Sequence, residues 1–257
     1  MIRAFILSNS TLKLILKKTK MYILLKRTQL LIKRTYLKYH KVRIKCNSKW
    51  YGNKYGGFYV CPNLLSSSSI VYSFGIGEDI SFDKSIIEEF QCDVFGFDPT
   101  PKSIDWVNTQ RLPKKFHFFE YGIDNVSGTA KFYLPRNPVF VSGSIFANTN
   151  LITNETIDVQ MKSFQDIVSD LGHKKIDILK MDIEGSEFHV LESIFKANIN
   201  IDQILIEFHD RFFKDGKARL KRAEKILQSN GFEIFALSDS LEEVSFIQKN
   251  SIQKNDN

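Results

Sequence analysis

The stretch IDILKMDIEGSE, residues 176–187, decides the fold. An apolar run ends in a group of carboxylates, and a glycine opens a helical pattern behind them. A buried strand that delivers acids to a cleft has this pattern, because ligands of open α/β sheets bind at the carboxyl ends of parallel strands. We therefore expect a strand over residues 175–181, a helix over 185–197 and a reaction site where they meet.

Two earlier stretches repeat the arrangement: VYSFGIGED at 71–79 runs into a glycine loop, and VFGFD at 94–98 ends on one acid. Strand and helix patterns then alternate through residue 248, which predicts an α/β domain with a mostly parallel sheet and helices on both faces. The last two strands, 232–237 and 243–248, are expected to form an antiparallel pair. Residues 128–134 and 139–146 alternate as a short hairpin would.

The composition is that of a globular α/β domain without a disulfide framework. A chain of 257 residues with 43% hydrophobic residues can bury the core of one α/β domain. The three cysteines, Cys46, Cys61 and Cys92, are odd in number and have no CxxC spacing. That argues against a disulfide framework and a zinc site, and it favours a reducing, cytoplasmic location.

Charge is distributed unevenly. Residues 1–77 hold 15 Lys and Arg and no acid, whereas the rest of the chain is acidic, so the net charge of +7 belongs to a basic N-terminal arm on an acidic body. This distribution is not that of a uniformly basic nucleic-acid binder. We expect a basic amphipathic extension over 1–45, an aromatic and glycine-rich lid or leading strand over 46–69, the main domain over 70–248 and a loose polar tail over 249–257.

The basic residues between positions 11 and 45 recur at helical spacing, with leucines on the opposite side. One interpretation is peripheral attachment to an anionic membrane surface. The alternatives are a solvated extension, or residues upstream of a true start at Met21. The apolar run 21–25 is far too short for a transmembrane span or a signal peptide.

The glycine loop is the candidate cofactor site. Gly75-x-Gly77 follows a strand, precedes a helix, and is followed 23 residues later by Asp98, an acid that can bind a ribose diol. The dinucleotide fingerprint requires a third glycine where this chain has Ile80. The predicted cofactor-binding residues are Gly75, Ile76, Gly77, Glu78, Asp79, Asp98 and Tyr121.

The charge of this loop separates two cofactors. Glu78 and Asp79 would repel a pyrophosphate at a helix N-terminus, whereas they suit a ligand with a protonated amine and a sulfonium. The pattern therefore favours S-adenosylmethionine over NAD. The simpler interpretation is that both acids stabilise the start of a helix.

The acids after residue 181 form the candidate reaction site. Alternation places Lys180 and Asp182 on one face, with Asp182 or Glu207 as the partner that a buried lysine needs. Methyl transfer to a hydroxyl needs a base, and Asp182, Glu184 or His209 could be that base. The predicted catalytic residues are Asp182, Glu184, His209 and Lys180. No metal ligand is assigned, although carboxylates beside a histidine could instead hold a divalent cation.

The quoted segments resemble the FkbM-type family of S-adenosylmethionine-dependent methyltransferases. IDILKMDIEGSE is similar to that family's most diagnostic stretch, and 71–83, 94–107 and 204–212 resemble a subgroup of it. The resemblance covers about Tyr51 to Ile247. Many relatives carry a GA-x-x-G loop, which this chain replaces by GIGED.

The resemblance implies a Rossmann-like class I methyltransferase fold, cofactor contacts at Gly75, Gly77 and Asp98, and active-site positions at Asp182 and Glu184. It also implies a hydroxyl acceptor on a sugar, glycan or secondary metabolite. Two rivals stay open: an NAD-dependent oxidoreductase or epimerase, and a non-catalytic membrane-associated binding module.

Overall fold

A computed structural model describes residues 40–135 and 152–253. The strands are β1 (Lys49–Tyr51), β2 (Phe58–Val60), β3 (Ile70–Phe74), β4 (Asp93–Phe97), β5 (Phe116–Phe119), β6 (Gly122–Asp124), β7 (Gly128–Pro135), β8 (Ile152–Ser163), β9 (Lys175–Met181), β10 (Asn200–Glu207), β11 (Phe232–Leu237) and β12 (Glu243–Gln248). The helices are α1 (Ser81–Phe90), α2 (Pro101–Thr109), α3 (Phe164–Leu171), α4 (Glu187–Lys196), α5 (Gly216–Ser229) and α6 (Lys249–Gln253). Short 3₁₀ turns occupy Pro62–Leu64 and Asp210–Phe212.

The central sheet has seven strands in the order β11-β12-β10-β9-β3-β4-β5. Strands β10, β9, β3, β4 and β5 are parallel, and β12 lies antiparallel to both of its neighbours. The chain builds outward from β3 to β5 and then returns to place β9 on the other side of β3. The order in which the chain adds strands to the sheet therefore reverses between β3 and β9. Open α/β sheets bind ligands at such a switch point.

Helices cover both faces of the sheet, as predicted. Successive residues of β3 point to opposite faces. Val71 packs in one cluster with Phe82 and Ile86 of α1, while the ring of Tyr72 lies 6.4 Å from that of Phe164 at the start of α3. Because both faces are buried, β3 is apolar nearly throughout, which is the pattern of a central parallel strand.

The β1–β2 hairpin belongs to the body of the domain and is not a lid. Tyr51 and Phe58 are buried in the same cluster as α1, and residues from 42 onward form one compact unit. The buried amide of Gln203 on β10 accepts from the Cys61 backbone N–H at 2.7 Å and donates to the Cys61 carbonyl at 3.2 Å. These bonds fix the segment to the sheet, which agrees with the alternative of an entry strand laid against the edge of the domain.

A second sheet holds β6, β8 and β7 in that order. Strand β7 pairs antiparallel with β8, with Gly128 opposite Met161, and it covers the first arm of the predicted hairpin. The predicted second arm of that hairpin, 139–146, lies outside the described residues. The twelve-residue β8 was not predicted, because its polar content resembles that of an exposed loop.

The segment predicted as a loose polar tail, 249–257, begins with a helix, since Lys249–Gln253 form α6. The Ser251 hydroxyl donates to Asp202, and Ile252 packs beside Ile247. These two contacts hold the helix against the sheet. The predicted basic arm, 1–45, lies almost wholly outside the described residues. Within residues 40–135 and 152–253, no helix has the length and apolar content to cross a membrane.

Candidate active site

A cleft opens at the carboxyl ends of β3, β4 and β9, where the topology places the switch point. It holds roughly 690 Å³ when its open mouth is counted. Its lining combines apolar side chains with acids and small polar groups: Phe74, Gly75, Ile76, Gly77, Phe97, Asp98, Pro99, Thr100, Gly122, Ile123, Phe132, Met161, Asp182, Ile183, Glu184 and Ser186.

Gly75 lets the first loop pass directly over the end of β9. Its φ is +80°, and a Cβ added there would lie 1.7 Å from the carbonyl oxygen of Asp182. The Gly75 N–H donates to the Phe97 carbonyl at 3.0 Å, and the Asp182 N–H donates to the Phe74 carbonyl at 3.0 Å. The loop and the acidic turn are thus held in backbone contact, which only a residue without a side chain permits.

Asp98 ties this loop to the start of α2. One carboxylate oxygen accepts from the backbone N–H groups of Ile76 and Gly77, at 3.0 and 2.8 Å. The other accepts from the Thr100 N–H at 2.9 Å and its hydroxyl at 2.6 Å. The side chain is 4% exposed and lines the cleft. Asp98 therefore orients the glycine loop, a role that sequence reasoning missed although Asp followed by Pro and Thr is a turn signal.

Glu78 and Asp79 lie outside the cleft lining. Glu78 forms an ion pair with Lys102 at 3.2 Å. Asp79 accepts from the Ser81 N–H at 2.8 Å and from the Asn53 side chain at 2.7 Å, so it stabilises the start of α1 and holds the loop of the β1–β2 hairpin. The contacts of Asp79 therefore agree with the simpler interpretation of an acid at the start of a helix, whereas Glu78 pairs with a lysine of α2.

Tyr121 also lies beside the cleft and not in its lining. Its ring packs 5.6 Å from those of Phe97 and Phe119, and the Lys162 ammonium lies 4.7 Å from its centre. Burial raises the pKa of this tyrosine to about 12. Its neighbours Gly122 and Ile123 line the cleft in its place.

Lys180 points away from the acids that were predicted to pair with it. Its buried ammonium donates to the Gly75 carbonyl at 3.2 Å and lies 5.6 Å from the ring centre of Phe58. Strand alternation failed here because β9 ends at Met181, so Asp182 already belongs to the turn. Lys180 supports the glycine loop from beneath and does not line the cleft among the described residues.

The acidic cluster forms where β9 and β10 end side by side. Asp182 and Glu184 line the cleft, with side chains 28% and 23% exposed, while His209 is 1% exposed behind them. The Nε2 atom of His209 lies 3.2 Å from Glu184, 3.4 Å from Glu207 and 3.8 Å from Asp182. The structure therefore brings three of the four predicted catalytic residues together and adds Glu207.

Buried Glu187 fixes the geometry of the cluster. Its carboxylate accepts from the Gly185 N–H at 2.8 Å and from the His209 N–H at 2.7 Å, which joins the turn after β9 to the segment after β10. Glu184 lies in the turn after β9, just before Gly185. Its backbone φ is +52°, an uncommon conformation for a residue with a side chain. Such strain persists only where the surroundings fix it, and it occurs preferentially at functional sites.

The electrostatics of the cluster are dominated by negative charge. Burial alone would lower the pKa of His209, but the nearby carboxylates of Glu187, Glu184 and Asp182 outweigh it and raise that pKa to about 10. Burial, followed by repulsion from Asp182, raises the pKa of Glu207 to about 8, although His209 opposes the shift. The cluster thus attracts positive charge.

Comparison with known proteins identifies the family. The model of the methyltransferase FkbM domain matches residues 72–234, more than half of the chain. The chain belongs to this family. Every part of the site just described falls within the match, from the glycine loop to the end of β10. The resemblance carried by IDILKMDIEGSE is therefore confirmed.

Individual relatives are more distant. Probable methyltransferase-like protein 24 of Rattus norvegicus is 27% identical over 154 residues, 59% of this chain and 36% of that protein. Hexuronic acid methyltransferase AglP of Haloferax volcanii is 25% identical over 121 residues, 46% of this chain and 48% of that protein. The chain thus spans less than half of the length of these two relatives.

Among solved structures, the methyltransferase FkbM of Methylobacillus flagellatus matches at a TM-score of 0.47 and 14% identity. The match covers 71% of this chain and 44% of that one.

Proposed function

We propose that the chain is an S-adenosylmethionine-dependent methyltransferase that acts on a hydroxyl group of a sugar or glycan. One observation carries the choice of cofactor: the backbone N–H groups of Ile76 and Gly77 donate to Asp98. A dinucleotide fold uses the N–H groups of this loop to bind pyrophosphate. Here a carboxylate of the protein itself already occupies that position, which disfavours NAD.

The charge of the cleft supports the same choice. Within the described part of the chain, the charged side chains that line it are the three acids Asp98, Asp182 and Glu184. Acidic walls repel phosphate and favour a ligand with an ammonium and a sulfonium group. The apolar surface of Phe74 and Phe97 suits the uncharged parts of a nucleoside. The residues present therefore fit S-adenosylmethionine, which would supply the electrophilic methyl group.

In this proposal Asp182 and Glu184 bind the acceptor hydroxyl group and take its proton. Both carboxylates face the cleft beside the glycine loop, whereas His209 is buried behind them, so a hydroxyl in the cleft reaches the carboxylates first. One of them would accept the hydroxyl hydrogen bond, orient the oxygen and take its proton. S-adenosylmethionine would supply the methyl group, with its sulfur–methyl bond broken, and would leave as S-adenosylhomocysteine. His209 and Glu187 then hold the two carboxylates in place.

The class of acceptor is supported by a relative. Haloferax volcanii AglP carries the description of a hexuronic acid methyltransferase, and its similarity spans 46% of this chain. A sugar presents several hydroxyl groups, and the acids of the cleft are suited to bind one of them. A small-molecule or glycan acceptor is accordingly the proposed partner.

The carboxylate variants Asp182→Asn and Glu184→Gln test the reaction. Each removes a charge and keeps the shape of the side chain, so the fold and binding of S-adenosylhomocysteine should survive. Methyl transfer to a uronic-acid glycan should fall by at least about 100-fold, the lower range for loss of a general base. The matched control is Glu192→Gln, an exposed glutamate paired with Arg222 on the far side of α4. Full turnover in both cleft variants would show that the two acids are structural.

A further inference from the structure

We infer that Asp182, Glu207 and His209 form a binding site for one divalent cation, of the Mn²⁺ or Mg²⁺ type, next to the acceptor. The three side chains offer one donor atom each, and these atoms lie within 4.8 Å of one another. The inference deepens the proposed function and rests on it for the role of the cation. Binding of the cation itself is independent of that function.

The topology explains why three potential ligands meet. Strands β9 and β10 are parallel neighbours, with Met181 in register with Ile206. Asp182 directly follows Met181, the last residue of β9, and Glu207 directly follows Ile206 as the last residue of β10. Their carboxylates therefore lie side by side. His209 follows two residues later and turns its ring back between them. Residues 182, 207 and 209 therefore meet at one edge of the sheet because the two neighbouring parallel strands end there.

The two carboxylates proposed as ligands lie farther from His209 than a charge-assisted hydrogen bond would place them, whereas Glu184, which is not one of the three ligands, lies 3.2 Å from Nε2. The Nε2 atom of His209 is 3.4 Å from Glu207 and 3.8 Å from Asp182, whereas charge-assisted N–H···O bonds measure about 2.7–2.9 Å. Two ligands at right angles, each about 2.1 Å from a Mg²⁺ ion, lie about 3 Å apart, and wider angles separate them further. A cation between the three donors thus fits the spacing.

The histidine is oriented as a ligand would be. Its side chain is 1% exposed, and Nε2 faces the carboxylates of Glu184, Glu207 and Asp182 at 3.2, 3.4 and 3.8 Å. The opposite ring atom, Nδ1, lies 3.3 Å from a carboxylate oxygen of Glu187. Metal-bound histidines usually direct their second ring nitrogen at such a carboxylate, which fixes the ring and raises its basicity.

Negative charge is concentrated around the His209 ring. Four carboxylates, those of Asp182, Glu184, Glu187 and Glu207, lie within 4 Å of its nitrogen atoms. Arg211 contacts Glu207 at 3.5 Å and also Glu242 at 3.0 Å. This concentration of carboxylates would attract a divalent ion.

The ligand set also indicates the type of ion and of acceptor. Two carboxylates and one imidazole match Mn²⁺ well, and Mg²⁺ shares the preference for oxygen. Three protein ligands leave coordination positions open towards the cleft. The ion would therefore favour an acceptor with two neighbouring oxygen atoms, such as a vicinal diol or a hydroxyl beside a carboxylate.

The test is a titration of the full chain with Mn²⁺ after treatment with a chelator. The free ion is followed by its EPR signal, which is lost on binding. We expect one equivalent to bind, and the variants Glu207→Gln and His209→Gln to bind at least about tenfold more weakly, since even outer partners of metal ligands change affinity by about 10–100-fold. Thermal unfolding of each variant confirms that it is folded. Glu192→Gln should bind like the wild type.

Calorimetry with S-adenosylhomocysteine on the same samples separates this inference from the proposed function. Mn²⁺ binding without S-adenosylhomocysteine binding would support the cation site and overturn the proposed function. Binding of S-adenosylhomocysteine by a folded wild type that takes up no Mn²⁺ at millimolar concentration would overturn the cation site alone. Equal Mn²⁺ affinity in the wild type and both ligand variants would also overturn it.

Discussion

At the scale of single residues, the site depends on backbone contacts more than on conspicuous side chains. Gly75 lies against the Asp182 carbonyl, Asp98 binds two loop N–H groups, and Glu187 joins two strand ends. Sequence reasoning placed Gly75, Asp98, Asp182 and Glu184 at strand ends, and the structure brings all four to one cleft. It could not give the contacts of Glu78, Asp79 and Lys180, because their partners, Lys102, Asn53 and Gly75, are chosen by the tertiary structure.

The close approach of Gly75 gives the first prediction. Gly75→Ala should lower the free energy of unfolding by more than Gly172→Ala does, because both glycines have positive φ but only Gly75 has backbone within 4 Å of the added Cβ. The conformational penalty of about 1 kcal/mol is shared, and forcing the loop away from β9 should add about 1–3 kcal/mol at Gly75. Urea unfolding measures both, and equal losses would contradict the backbone contact.

At the scale of elements, the β1–β2 hairpin shows what a sequence does not reveal. Its aromatic and glycine-rich residues are typical of a mobile lid, yet Tyr51 and Phe58 are core residues. The central strands were predictable because they are buried on both faces and read as continuous apolar runs. The hairpin and β8 were not, because each depends on a partner far away in the chain: Gln203 for the end of the hairpin, and β6 and β7 for β8.

Removing the link between the hairpin and β10 gives the second prediction. Gln203→Ala takes away both partners of the buried Cys61 backbone groups, and unsatisfied buried groups cost about 1–3 kcal/mol each. We expect a loss of about 2–4 kcal/mol in urea unfolding with S-adenosylhomocysteine affinity unchanged. The control is Gln160→Ala on β8, an exposed glutamine whose loss should cost less than about 0.5 kcal/mol. A large fall in affinity would give the hairpin a role in the cleft.

At the scale of the whole molecule, the sequence joins a basic N-terminal arm to an acidic body. The charge asymmetry was evident from the sequence, but the amphipathic pattern of residues 11–45 falls almost entirely outside the described residues. Attachment of the arm to an anionic membrane surface therefore stays a proposal. The backbone N–H groups of Arg43 and Ile44 donate to the Ile234 carbonyl, so the body begins at about residue 42.

Deletion of residues 1–39 tests the arm without cutting into the body. The shortened chain should bind S-adenosylhomocysteine as tightly as the full chain, but it should lose binding to phosphatidylserine vesicles in co-sedimentation. Binding by the full chain should weaken with salt, since charges at a surface are screened beyond about 8 Å at physiological ionic strength. Equal vesicle binding with and without the arm would refute the membrane proposal.

The central claim is that the cleft beside Asp98 binds S-adenosylmethionine and not a dinucleotide, and calorimetric titration of the full chain tests it most directly. We predict saturable binding of S-adenosylhomocysteine and no heat of binding with NAD. Asp98→Ala should weaken the affinity by about 1.5–3 kcal/mol, the range for hydrogen bonds to a charged group, because it removes the carboxylate that orients the loop and lines the cleft. Binding of NAD in place of S-adenosylhomocysteine would contradict the account.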